Sequence, residues 1–484
     1  MSIQSAWQAT FDFFGELPLQ VEPSQAQLTS DAGLLPLRQF DEHIGLTQQF
    51  GQALDDPRAP KCCGHTFLEM ARSRIYGILA DYEDQNDHDT LRYDPVFKLI
   101  ANRSPDDDPL ASQPTLSRFE NAITIRSLKR LRDVFIDQFI ASFVTPPSHL
   151  TFDLDAVDDP AHGEQQLVLF HGYFDQYQYF PSFITCADND QTVMVSLRPG
   201  AVHAALGADD DLEYLVCRLR RVWPNVHIHM RGDAGYGVPW MYAVCERLSL
   251  DYTFGIASNN VLKKCSETVL QQAVAAFETQ GQPQRLFDAF WYQAESWSTP
   301  RWVIVKAEAN AQGTNRRFIV CNRPGARILP GAAYDDYAAR GECENRNKEL
   351  KCELKIDRTS DHRFLANFFR LYLHAAAHNL LVRLRRSFAS PPPDAPTTLS
   401  PVDNEPVPTK ALQGRARRCY FNRRRQADPL GEGQACTWRS LLIKVAAEIT
   451  VSSRRILVRL SAAWPNLDWY QRLAAFLSRP SPSG

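Results

Sequence analysis

A mixed α/β core flanked by helical regions is the fold class that the sequence predicts. Three observations carry it. Hydrophobic residues change from helical spacing to strict alternation near residue 150, strand and helix patterns then follow one another, and a long helical stretch begins after residue 336. With 484 residues, roughly two to four folding units are expected. Hydrophobic residues at 44% and charged residues at 23% exclude a disordered chain.

Residues 1–145 read as a helical N-terminal region. Leu34, Leu37, Phe40 and Ile44 recur at helical spacing, as do Phe67, Met70, Ile75 and Leu79. Ser112 and Pro114 open a short helix. Residues 146–258 read as the first part of a core. Leu150, Phe152 and Leu154 alternate with Thr151, Asp153 and Asp155, the period of a strand. Strands at 178–187 and 192–198 surround the turn Asp188-Asn189-Asp190. A helix at 209–223, with acidic residues in its first turn, ends at Pro224; a strand at 226–230, a helix at 239–248 and a strand at 252–256 follow. Three strands, helix, strand, helix, strand is the RNase-H-like (integrase-type) arrangement of a mixed sheet. Residues 259–335 interrupt it as a strand-rich insertion carrying Trp291, Trp297 and Trp302. Residues 336–389 resume the core as one continuous helical stretch, 390–408 form a Pro-rich linker, and 409–484 read as a basic tail of one or two helices.

The net charge of −3 hides an asymmetry: from Pro401 onward 14 Lys and Arg face 6 Asp and Glu, a local net of +8. A basic tail with Arg415, Arg417, Arg418 and Arg423 to Arg425 around Tyr420 and Phe421 points to phosphate contacts. The 11 cysteines contain no CxxC pair, which argues for reduced thiols, and Cys62, Cys63 and His65 lack a second ligand pair for zinc. No apolar run reaches membrane-span length; the best, residues 371–381, holds His374 and His378. The first residues show no secretion signal, so a cytoplasmic protein without a membrane partner is expected.

Acidic residues at the ends of these elements carry the chemistry. Phosphoryl transfer on DNA uses two hard cations about 4 Å apart, held by carboxylates from separate elements. Asp155 and Asp153 share one face of the first strand, where a charge is costly unless paired or metal-bound; a solvated edge strand is the alternative. Asp233 follows a strand between Gly232 and Gly235, suiting either close approach to a phosphate or a helix cap. Tyr337, Arg340, Glu344 and Lys351 fall on one face of a continuous helix, as a metal ligand flanked by phosphate-binding groups or as a solvated charged face.

Together these residues resemble the DDE transposases of bacterial insertion sequences, the group called transposase DDE domain group 1. The resemblance runs over nearly the whole chain. It includes the stretch from Phe152 to Pro160 with His162-Gly163 and His171-Gly172-Tyr173, then Arg231-Gly232-Asp233-Ala234-Gly235-Tyr236, and Phe254-Gly255-Ile256-Ala257. The Tyr-x2-Arg-x3-Glu-x6-Lys signature fits at Tyr337, Arg340, Glu344 and Lys351. Val157 stands where members usually carry Thr.

The resemblance implies Asp155, Asp233 and Glu344 as catalytic residues and ligands of two Mg2+ or Mn2+ ions, with Asp153 as a possible further ligand. Tyr337, Arg340 and Lys351 would contact DNA phosphates, and the insertion's tryptophans would offer stacking surfaces. Metal-dependent strand cleavage and strand transfer are the expected reactions. The partners are double-stranded DNA, as terminal inverted repeats and target, and a second copy of the chain in a synaptic homodimer. A bacterial, nucleoid-associated location follows. A decayed or domesticated copy that only binds DNA is the alternative, and a nuclease that cuts without joining is a second one. His171 is open between a phosphate-positioning role and a structural one.

Overall fold

The structure, a computed structural model, describes residues 7–11, 13, 17, 19–59, 63–161, 163–389, 419, 430–431 and 433–478. The expected linker, His162 and the arginine cluster at 415–425 lie outside them.

The core is an eight-stranded sheet. Its strands are β1 (His149–Ala156), β2 (Ser182–Cys186), β3 (Thr192–Ser196), β4 (His227–Gly232), β5 (Asp251–Ile256), β6 (Gln284–Tyr292), β7 (Arg301–Asn310) and β8 (Gly313–Cys321). Their spatial order is β6-β7-β8-β5-β4-β1-β2-β3. The first three strands pair antiparallel, β1, β4 and β5 run parallel, and β8 returns antiparallel against β5. Residues 259–335 therefore begin as two helices, Asn260–Cys265 and Glu267–Gln280, and then widen the same sheet rather than forming a separate sheet.

Alternation along β1 sends its two sets of side chains to opposite faces. Phe152 and Leu154 join a core shared with the helices Ala208–Val222, Pro239–Arg247 and Glu267–Gln280. Asp153 and Asp155 point to the other face. There the helix Pro330–Ala338 covers β7 and β8, and the helix Phe364–Ala389 covers β3. The acidic face of β1 lies between these two covers.

The Phe364–Ala389 helix is buried along most of its length, with Asn367, Arg370, His374, His378, Asn379 and Arg385 buried among its apolar residues. It joins the sheet to the N-terminal helices, among them Phe67–Leu79, Gln113–Asn121 and Ile125–Ile140, in one hydrophobic core. The C-terminal segment completes that core with Trp438, Leu442 and Ile443, all buried.

Two expectations are corrected here. The tail is not wholly helical: Ala447–Val451 and Ile456–Leu460 form a hairpin, and among the described residues of the tail only Leu467–Leu477 makes a sizeable helix. Its Ile, Thr and Val content favours strands, and Ala447–Val451 also pairs with Gln27–Thr29 near the other end of the chain. The stretch after residue 336 is likewise not one helix. Pro330–Ala338 ends in a turn at Arg340, Gly341–Lys348 follows, a π-helical turn spans Glu349–Glu353, and Lys355 takes a left-handed φ of 56° before the Phe364–Ala389 helix begins. Among the described residues no helix is long and apolar enough to cross a membrane.

Candidate active site

The sheet register brings two of the expected acids together. Gly232 pairs with Leu154, so Asp233 and Asp155 follow at the C-terminal ends of neighbouring parallel strands. The Asp233 carboxylate accepts from the Gly235 backbone N–H at 2.9 Å, which closes the turn leaving β4. On β5 next door, Gly255 leaves room that a side chain would fill. A Cβ there would stand 2.8 Å from the Ala234 nitrogen and 3.0 Å from the Tyr337 hydroxyl. Tyr337 is thereby seated against the Asp233 turn.

Arg340 links the third acid to the first. Its guanidinium donates to Glu344 at 2.9 Å and lies 3.7 Å from an Asp155 oxygen. Glu344 is exposed on the Gly341–Lys348 helix, whereas the Asp155 side chain is 15% exposed. Asn347, one helical turn beyond Glu344, donates to the other Asp155 oxygen. Burial raises the Asp155 carboxyl to about 6; Arg340 and Asn347 favour its charged form, while Asp233 and Glu344 oppose it. Burial also raises the Tyr337 hydroxyl, against the pull of Arg340.

Two expected residues stand elsewhere. Asp153, directly beside Arg231 in the register, accepts from it with both oxygens, at 2.7 and 2.8 Å. Arg231 also donates to the Asp336 carbonyl, tying the Pro330–Ala338 helix to the sheet. Burial raises the Asp153 carboxyl despite that pair. Lys351 donates to the Asp158 carbonyl at 2.8 Å and its carboxylate at 3.1 Å, holding the loop after β1. Tyr337, Glu344 and Lys351 lie on three successive elements, Pro330–Ala338, Gly341–Lys348 and the π-turn Glu349–Glu353, rather than on one face of a continuous helix. Among the described residues, no three His, Cys, Asp or Glu side chains are already gathered at metal-binding distance.

A family model, transposase DDE domain group 1, matches residues 13–394, which is most of the chain. The chain belongs to this family. Membership makes it a DDE transposase, a class whose general activity is that of a DNA-binding nuclease and strand transferase and which generally uses divalent metals. The matched span includes all the acids described above and ends near the end of the Phe364–Ala389 helix. No curated protein sequence matches the chain.

Other residues of this transposase separate by exposure. Trp297 is buried against Tyr242 and Tyr292, so it belongs to the core. Trp302 is half-buried and donates to the Ala326 carbonyl. Trp291 is exposed, with the Arg327 guanidinium over its ring at 4.8 Å from the centre and Trp302 packed edge-on against it. His171 accepts from the Tyr173 N–H and packs on Phe174 and Phe180 in a surface turn. Asn347 was not singled out in the sequence. Its spacing of three from Glu344 was the only available sign.

Proposed function

We propose that this transposase has an RNase-H-like catalytic core that nicks DNA at insertion-sequence ends and joins the freed ends to target DNA. Asp155, Asp233 and Glu344 are its catalytic acids. Support for the core comes from three antiparallel strands leading, with β1 central, into parallel β4 and β5. The observation that carries the site is the Arg340 guanidinium between Asp155 and Glu344, which joins the strand-borne acid to the helix-borne one.

The donors suit Mg2+ or Mn2+: carboxylate oxygens from two strand ends and one helix, with room for water and phosphate on the exposed Glu344 side. Asp155, buried and opposed by two other acids, is favoured in its charged form by Arg340, and a cation bound beside it would favour that form further. Two bound cations would activate the attacking oxygen and stabilise the leaving one.

The chain's own residues do the rest. Asn347 fixes the Asp155 carboxyl, and Arg340 with the Tyr337 hydroxyl offers donors to the scissile phosphate. Asp153 is a brace rather than a ligand, since both its oxygens accept from Arg231. Lys351 fixes the loop after β1 through Asp158. In the first reaction water attacks phosphorus and the 3′ oxygen departs as a hydroxyl. That hydroxyl then attacks a target phosphate in line, displacing the target's 3′ oxygen. Two element ends call for two catalytic centres, hence a homodimer on DNA.

The test uses a labelled duplex carrying the element's own terminal repeat, with Mg2+ or Mn2+. Wild type is expected to nick the end and transfer it to a plasmid, while Asp155→Ala, Asp233→Ala and Glu344→Gln bind without cutting. Cleavage at the wild-type rate by any variant removes that residue from the set. Binding without cleavage by wild type would favour a transposase that only binds DNA.

A further inference from the structure

The helix that carries Glu344 has little of its own to hold it in place. Gly341–Lys348 spans 8 residues, and helices this short are marginal unless packing secures them. No apolar face secures this one: among its described residues only Asn347 is buried. Asn347 and Arg340 attach it to Asp155. A second attachment runs toward the core, where Arg346 donates to Glu349 at 3.2 Å and lies 3.4 Å from an Asp190 oxygen.

Glu349 opens the π-turn and is fully buried. A buried carboxylate is costly unless donors meet it, and both of its oxygens are met. One accepts from Arg385 at 3.1 Å and from the Ala435 backbone N–H at 3.0 Å. The other accepts from Arg346, with a His378 ring nitrogen 3.7 Å away. Burial would raise this carboxyl, but His378, Arg385 and Arg346 hold it well below the usual range. Its donors thus come from the Glu344 helix, the Phe364–Ala389 helix and the C-terminal segment. Two more bonds fasten that segment to the same spot. Arg385 donates to the Gly433 carbonyl at 2.8 Å, and the Cys436 N–H donates to Glu353 at 2.7 Å. Residues 433–436 lie beyond the family match, which ends at residue 394.

We propose that Glu349 is a positioning residue, through which the C-terminal segment and the Phe364–Ala389 helix together seat the Glu344 helix. The seat brings Asn347 to Asp155 and Glu344 beside Arg340; its value for catalysis rests on the proposed function. Enclosed by the core, Glu349 acts through the helix and not on DNA.

Two substitutions break the seat from opposite sides and leave the Glu349–Arg385 pair in place. Arg346→Met removes the donor on the Glu344 helix, and Arg346→Lys retains its charge. Ala435→Pro removes the donor on the C-terminal segment, at the first position of the Ala435–Trp438 helix, where proline is tolerated. Three measurements are made on the full chain: amide hydrogen exchange without metal or DNA, affinity for the terminal-repeat duplex, and single-turnover cleavage at saturating DNA and Mg2+. Arg346→Met and Ala435→Pro are expected to speed exchange at residues 341–348 roughly 10- to 100-fold, while β1 and β4 stay protected as in wild type. Cleavage falls roughly 10- to 100-fold with duplex affinity unchanged, and Arg346→Lys recovers most of both losses. The proposal is overturned if residues 341–348 exchange as an unfolded segment in wild type, if either substitution leaves their exchange unchanged, or if exchange rises equally across β1 and β4. Faster exchange at 341–348 with cleavage at the wild-type rate leaves the seat standing and removes Glu344 from the catalytic set instead. If wild type does not cut, exchange alone decides the seat.

Discussion

Asp159 gives the most direct test of the electrostatics beside the site. It is 1% exposed; one oxygen accepts from Thr359 at 2.9 Å, and the other has no hydrogen-bond partner. Burial pushes its carboxyl from 3.8 to about 8, with Asp357 and Asp158 adding to the rise and Thr359 and Lys351 opposing it. A carboxyl raised in the folded state stabilises fully below the unfolded value and loses that contribution as pH climbs through the folded one. Across that window the cost grows by about 1.4 kcal/mol per pH unit, or roughly 4 kcal/mol between pH 5 and pH 8. Asp159→Asn keeps the shape and an acceptor for Thr359 but removes the ionisable proton. Urea unfolding of both proteins from pH 5 to pH 8 should show the variant gaining on wild type throughout the interval. A difference that stays constant with pH would refute the reasoning.

Three other predictions follow from packing. Gly255→Ala forces a methyl against the Ala234 nitrogen and the Tyr337 hydroxyl; single-turnover cleavage should fall roughly 10- to 100-fold, and an unchanged rate would free that position from the site. Glu120→Gln leaves Arg74 and Arg370 facing each other without a countercharge. Burial would raise Glu120, but the two arginines outweigh it and hold the carboxyl at about 2, so chemical denaturation should show a loss of about 3–5 kcal/mol. Truncation before residue 430 removes buried Trp438 and the Ala435 N–H that donates to buried Glu349. That shortened chain should lose cooperative unfolding and bind hydrophobic dye, whereas a well-folded product would make the segment an appendage.

The parts legible from sequence were those set by local period. β1 announced itself by alternation, β4 was read as a strand leading into Asp233, and the acids at their ends followed from the strand boundaries. Partner choice was not local. Nothing near residues 284–321 says that β8 will pair with β5, and Asp153 could be read as a brace only once Arg231 was known to stand beside it. The continuous helix expected to carry Tyr337 to Lys351 is broken at Arg340 and again by a π-turn, breaks that the residue spacing did not reveal. Apolar spacing in the tail also fits strands, and the Ile-Thr-Val run there decided for β structure once Gln27–Thr29 offered a partner.

The closure of the chain's two ends bears on how the protein comes into being. Arg439 donates to the carbonyls of Ile78 and Leu79, the latter 360 residues earlier, and Tyr470 reaches Ala32. At synthesis rates of about 5–20 residues per second, the N-terminal helices wait roughly 20–70 s beside the ribosome for the segment that seals their core. During that interval their apolar faces are open to chaperones and proteases. A chain cut short before residue 430 lacks the segment that seals this core, so quality control can still recognise it, and the folding of the N-terminal helices is tied to a segment made much later.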